Sequence, residues 1–433
     1  MKALSKLLLK GGRVIDPSQK KDVIADVLIE GGKIAAIEKE INAPDAEVYD
    51  AAGKIVCPGL IDVHCHLREP GLERKETIAS GSRAAAAGGF TSVMPMPNTV
   101  PVADSPASIR YVRDRAEEAG FIHVYPIGAI TKGSEGKELA KMSAMADAGA
   151  VAFSDDGRPV GNSRMMRLAM EYSHIMNLPL IAHEEDLDLV DDGDMNEGYV
   201  ATVMGLRGNP PAAEETMIAR DIILARLTGA RLHIAHVSTA CGAKMIKEAK
   251  EEGLRITAEV TPHHLTMTEE AVRGYDTNTK VNPPLRTAED VEALIVALKE
   301  GVIDCVATDH APHTIEDKVV EYHFAANGIS GFETALPLLW TDLVKEGKLT
   351  ETELIERMSV IPARIFNLPG GSISPGSIAD VTVIDPETIL AVDKNAFYSK
   401  GKNTPYHGRL LSGWPVLTIV EGKVVMEDRV VKE

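Results

Sequence analysis

The stretch IVCPGLIDVHCHLREPG, residues 55–71, opens as an apolar run and ends in two imidazoles one residue apart. A short run rich in Ile, Val and Leu, bounded by Pro and Gly, reads as a strand. Side chains alternate across a strand, so His64 and His66 point to one face and Cys65 to the other. Working outward, seven more such runs follow: FTSVMPM, HVYPIGA, AVAFSD, LPLIAH, RLHIAH, RITAEVT and DCVATD. Helical stretches such as ETIASGSRAAAAGG and DVEALIVALKEG lie between most of them. Eight strands alternating with helices predict an α/β chain folded as a (β/α)8 barrel of the TIM type.

The two chain ends read differently from the middle and like each other. LLLKGGRVID, VLIEGGKIAAIE and TIVEGKVVMEDRV each read as strand, Gly-containing turn, strand. Isolated hairpins are marginal. Residues 1–56 and 368–433 are therefore expected to pair as one small β domain, with residues 57–367 forming the barrel.

Composition narrows the partners. The formal net charge of −18 repels phosphate backbones and anionic membranes. Aromatic residues at 4% are too sparse for a platform that stacks single-stranded bases. The expected partner is a small molecule, with neither nucleic acid nor membrane. An anionic substrate would need a locally positive pocket. No apolar run approaches the ~20 residues that span a bilayer, and the N-terminal stretch reads on into a strand without a cleavage site. Cys57, Cys65, Cys241 and Cys305 form no CxxC pair, which suits a reducing cytoplasm.

The strand ends hold the chemistry. The first ends in His64-Cys65-His66, the fourth in Asp155-Asp156, the fifth in His183, the sixth in His236 and the eighth in Asp309-His310. In such a barrel these C-terminal ends converge on one face, where active sites are built. Four imidazoles and two carboxylates, with no thiolate among them, suit zinc, with manganese, iron or cobalt as poorer alternatives. They are too many for one tetrahedral ion, so two zinc ions per subunit sharing a ligand are expected. Such an ion lowers the pKa of a bound water to about 7 and so provides hydroxide at neutral pH. Asp309 can bind metal and also shuttle a proton. Asp155 and Asp156 face opposite ways in a regular strand, and alternation alone leaves the choice between them open.

These residues resemble those of the amidohydrolase superfamily, and the flanking motifs resemble its bacterial-type dihydroorotases. The motifs are PGLIDVHCHLREPG (58–71), MPMPNT (94–99), FSDDG (153–157), IAHEE (181–185), HIAHVST (233–239), EVTPHHL (259–265), KVNPPLR (280–286) and ATDHAPH (307–313). The resemblance implies reversible hydrolysis of dihydroorotate to N-carbamoyl-L-aspartate in pyrimidine synthesis. It implies His64, His66, Asp156, His183, His236 and Asp309 as metal ligands, and Arg68, Asn98, Asn282 and His313 as substrate contacts. Arg68 would grip the substrate carboxylate, against the alternative of a surface ion pair with Glu69 or Glu73. Hydantoinases, dihydropyrimidinases and many allantoinases bridge their metals with a carbamylated lysine near the end of the fourth strand. This chain has none there, and the family pattern favours Asp156 instead.

Two other readings stay open from the sequence: an allantoinase or hydantoinase, and an inactive dihydroorotase-like scaffold. Homo-oligomerisation and association with aspartate transcarbamoylase, which some relatives show, are also open. His263, His264 and His310 are expected to hydrogen-bond behind the ligands. His123, His174, His233, His323 and His407 read as ordinary core or surface histidines. Residues 314–333 read as a mobile lid.

Overall fold

The computed structural model describes residues 6–432, so positions 1–5 of the N-terminal stretch and residue 433 lie outside the described residues. The (β/α)8 barrel is present. Its strands are Leu60–Cys65, Phe90–Pro95, a third in two pieces, Ala152–Ser154, Leu180–Ala182, Leu232–Ile234, Ile256–Val260 and Cys305–Val306. The third, expected as one run, is His123–Val124 and Ile127–Gly128. Pro126 lies between the pieces and has no N–H to donate to a ladder. The first piece pairs with the second strand and the other with the fourth.

A helix follows each strand: Ile78–Ala87, Pro106–Ala119, Met142–Asp147, Ser163–Met176, Ala212–Thr228, Ala240–Glu251, Ala288–Glu300 and Phe332–Leu339. Thr77, Ser105, Asn162, Thr239 and Thr287 cap their helices by accepting backbone N–H groups. Ile61, Val63, Met94, Ile127, Ala152, Ile181, Ala235 and Ala307 fill the barrel interior, and a larger apolar layer separates the strands from the helices. Among the described residues no helix is long and apolar enough to cross a membrane.

The barrel closes between its eighth and first strands through few bonds. His66 N–H donates to the His310 carbonyl at 2.8 Å. The fully buried Asp62 carboxylate accepts from Thr308 N and Thr308 Oγ1, each at 2.7 Å. Both His64 and Asp309 are therefore anchored two and one residues from the same latch.

The two chain ends form one nine-stranded sheet. Ile55–Pro58 sits at its centre, parallel to Lys6–Asp16 on one side and antiparallel to Val381–Asp385 on the other. Leu60, two residues further on, begins the barrel. The β domain is thus joined to the strand that ends in His64 and His66. Residues 314–333 contain the short helix Ile315–Lys318 and are pinned by two buried lysines. Lys318 Nζ donates to the Thr277 carbonyl at 2.9 Å and the Ala326 carbonyl at 2.6 Å. Lys280 Nζ donates to the Tyr322 and His323 carbonyls at 2.8 and 2.7 Å.

Asp62→Ala leaves the Thr308 N–H and hydroxyl unpaired in the barrel wall. The expected result is a loss of about 2–3 kcal/mol of unfolding free energy, read from the denaturant midpoint at unchanged slope.

Candidate metal centre and cleft

Two ligand groups share one carboxylate. His64, His66 and Asp156 bring a donor atom each to within 4.8 Å of one another, and so do Asp156, His183 and His236. Around Asp156 Oδ1 lie His64 Nε2 at 3.5 Å, His183 Nδ1 at 3.5 Å and His236 Nε2 at 3.6 Å. Asp309 Oδ1 lies 2.9 Å from His66 Nε2 and 3.7 Å from His64 Nε2.

Groups behind three of the rings fix which nitrogen faces inward. His64 Nδ1 is 2.6 Å from Glu259 Oε1, His66 Nδ1 is 2.9 Å from Asn98 Oδ1, and His183 Nε2 is 3.1 Å from Glu185 Oε2. Each acceptor calls for the proton on its own side, which turns the ring's lone pair toward the carboxylates. His64 Nε2 and Asp156 Oδ1 are buried with no hydrogen-bond partner. Unpartnered buried polar atoms are costly, and converging nitrogen and oxygen lone pairs are what a divalent cation takes up. The donor set fits a metal of the zinc kind.

Electrostatics agree. Burial opposes charge on the Asp156 carboxyl, but His64, His183 and His236 outweigh it and hold that carboxyl well below the usual range. Burial likewise opposes charge on His183, yet Asp156 and Glu185 push it up to about 10. This spot favours positive charge. Burial pushes the neighbouring His263 down to about 4, so that ring stays neutral.

The backbone is strained where the functional side chains emerge. Arg68, His236 and Asp309 have φ of 60°, 32° and 45°, the left-handed region that costs non-glycine residues of order 1–3 kcal/mol. The surrounding ladder holds them there, and such outliers cluster at functional sites.

Nine of the ten residues expected from the sequence line one cleft of about 210 Å³: His66, Arg68, Asn98, Asp156, His183, His236, Asn282, Asp309 and His313. The tenth, His64, is fully buried beneath it. Asp155 faces away and accepts from Ile130 N at 2.9 Å and Thr131 N at 3.2 Å. Gly157, with φ of 70°, follows Asp156 at the cleft edge. Arg68 pairs with neither Glu69, which Arg115 Nε holds at 2.9 Å, nor Glu73, which accepts from Gly71 N. Its Nε donates to the Pro312 carbonyl at 3.3 Å and its Nη2 lies 3.3 Å from His313 Nε2. His313 Nε2–H donates to the Asn327 carbonyl at 2.8 Å, while Lys75 Nζ donates to Nδ1 at 3.1 Å. Burial, with Arg68 and Lys75 beside it, pushes His313 down to about 2, so it is neutral.

Glu259 and Glu185 stood in the motifs without a role. Glu259 holds His64 on one side and His233 Nε2, at 3.1 Å, on the other, so His233 is part of the support behind the centre. The signal for Glu259 was a buried acidic residue inside the barrel strand ITAEV. His264 bonds Thr261 and the Pro283 carbonyl, whereas His263 Nε2 has no hydrogen-bond partner. His310 receives the Gly331 N–H at 3.1 Å and stacks on Phe332.

Residues 53–241 match the family model described as Dihydro-orotase-like. A dihydroorotase of Pelotomaculum thermopropionicum is 56% identical over 427 residues, which cover 99% of this chain and 100% of that one. This chain belongs to the dihydroorotase family. The dihydroorotase of Syntrophus aciditrophicus is 52% identical over 98% of this chain and 100% of its own. Among solved structures, the L-hydantoinase (dihydropyrimidinase) from Arthrobacter aurescens matches with a TM-score of 0.89 at 28% identity, covering 99% of this chain and 97% of that one. This chain thus shares its fold with that hydantoinase over nearly its whole length.

Glu259→Gln keeps the volume and removes the charge behind His64. Retention of divalent metal, titrated against a competing chelator, should weaken by about 10–100-fold with the fold intact. Unchanged affinity would mean that Glu259 serves only the barrel.

Proposed function

We propose that this chain catalyses the reversible hydrolysis of (S)-dihydroorotate to N-carbamoyl-L-aspartate, the cyclic-amide step of pyrimidine biosynthesis, at a two-zinc centre. The observation that carries the substrate class is Arg68. Its guanidinium lines the cleft, and no carboxylate among the described residues pairs with it. A fixed charge without a counter-ion suits an anionic substrate, and a neutral hydantoin offers none.

Zinc would be held by His64, His66, Asp156, His183, His236 and Asp309, and Asp156 belongs to both ligand groups. When bound, zinc supplies Lewis acidity, polarising an oxygen and lowering the pKa of a water it touches. The protein's own groups do the rest. Arg68 and Asn98 hold the ring carboxylate, neutral His313 joins them by turning its Nε2–H from the Asn327 carbonyl, and Asn282 meets the ring amide. Asp309, 2.9 Å from His66 Nε2, takes the proton of the attacking water. As the C–N bond breaks, it delivers that proton to the departing nitrogen. Ring closure runs the same path backwards. Because Asp156 supplies its carboxylate without reaction with carbon dioxide, assembly needs metal alone.

The hydantoinase likeness favours a second reading as a neutral-ring amidase. Zinc-loaded protein offered dihydroorotate, allantoin and dihydrouracil separates the two. Turnover of dihydroorotate alone is expected, and turnover confined to either neutral ring would overturn the proposal.

Asp309→Asn keeps the shape and removes the base. A fall in kcat of at least about 10²-fold is expected with zinc retained. Near-normal turnover would assign the proton to another group.

A further inference from the structure

The carboxylate side of the cleft is built from two loops. One follows the eighth strand and presents Ala311 and His313; the other presents Asn327 and Gly328. They approach closely: a Cβ on Gly328 would fall 2.5 Å from Ala311 Cβ. A third segment, around residues 399–404 near the C-terminal end, packs behind both. Ser399 Oγ donates to buried Glu76 at 2.5 Å, and a Cβ on Gly401 would fall 2.5 Å from Pro312 Cβ.

Asn403 joins all three. Its side chain is buried at 3% exposure. Its Nδ2 donates to the Ala311 carbonyl at 3.0 Å and to the Gly328 carbonyl at 2.9 Å. Its Oδ1 accepts from His313 N at 2.9 Å, and Ser330 Oγ lies 2.9 Å away with one hydrogen for Asn403 Oδ1 and the Gly401 carbonyl. A carboxamide has two donors and two acceptor sites, and every one faces a partner here. Aspartate would lack both donors, and alanine would lack all four contacts.

We propose that Asn403 is a positioning residue for substrate binding: its carboxamide clamps the two loops of the cleft wall and fixes His313 opposite Arg68. This rests on the reading of His313 as a substrate contact. Asn403 does not itself line the cleft, so it acts through the wall. The metal centre is held from elsewhere, by Asp62, Glu185 and Glu259. Removing the clamp should therefore raise KM and spare kcat.

The test is a double-mutant cycle on the zinc-loaded full chain with Asn403→Ala, His313→Ala and the pair, reading KM and kcat for dihydroorotate and bound zinc. Asn403→Ala should raise KM about tenfold or more with kcat within about threefold, a coupling of the size neighbouring residues show. In the His313→Ala background the same change should move KM by less than about twofold. An equal KM rise in both backgrounds, loss of zinc, or a collapse of kcat would overturn the proposal. So would a normal KM in Asn403→Ala when His313→Ala is impaired. If His313→Ala itself leaves KM unchanged, the substrate role of His313 falls, and this inference falls with it. Should Asn403→Ala fail to fold, Ser330→Ala removes one contact of the clamp, and the same cycle decides by the same criteria.

Discussion

Asp156 places one carboxylate oxygen within 3.6 Å of three imidazole nitrogens in a buried site. Imidazole lone pairs and a carboxylate do not share such a space unless positive charge fills it, as protons or as metal. Much of the surrounding architecture answers that constraint. Glu259, Asn98 and Glu185 turn the rings so that lone pairs face inward. The Thr308–Asp62 latch holds the strands that deliver His64 and Asp309 in one register. His236 and Asp309 sit in left-handed backbone because a relaxed strand end would aim them elsewhere.

How much of this was legible in the sequence depended on the range of the interaction concerned. The histidines and Asp309 could be read because each stands at the end of an apolar run, and a barrel brings such ends together. Alternation could not choose between Asp155 and Asp156. The choice is made by Ile130 and Thr131 of the preceding loop, whose N–H groups capture Asp155. Glu259 was hidden because its meaning comes from His64, 195 positions away. Asn403 was hidden for the same reason, since its partners lie 73 to 92 positions back in the chain. The third strand's break at Pro126 was visible as a proline, but only the pairing of each half with a different neighbour gives it significance.

The segment whose glycines suggest a lid is hydrogen-bonded to the barrel in this structure. Lys280 and Lys318 thread residues 314–333 onto the barrel by donating to main-chain carbonyls, contacts independent of side-chain identity in the segment they hold. A cleft of about 210 Å³ is below the roughly 300–1,000 Å³ of drug-sized pockets.

The strand Ile55–Pro58 has a temporal consequence. Cys57 bonds to the Thr382 carbonyl across 325 positions, so on the ribosome the flank of this strand waits for that stretch to be made. At about 5–20 residues per second the wait is on the order of tens of seconds. Throughout it a nascent chain presents an apolar strand edge, Ile-Val-Cys-Pro, without its eventual neighbour. Exposed edges of that kind invite pairing with other chains. The proline at the end of the run has no N–H to offer such a partner, and the barrel begins two residues later. The order of synthesis thus leaves the strand that ends in His64 and His66 tethered to an unfinished sheet until Val381–Asp385 is made.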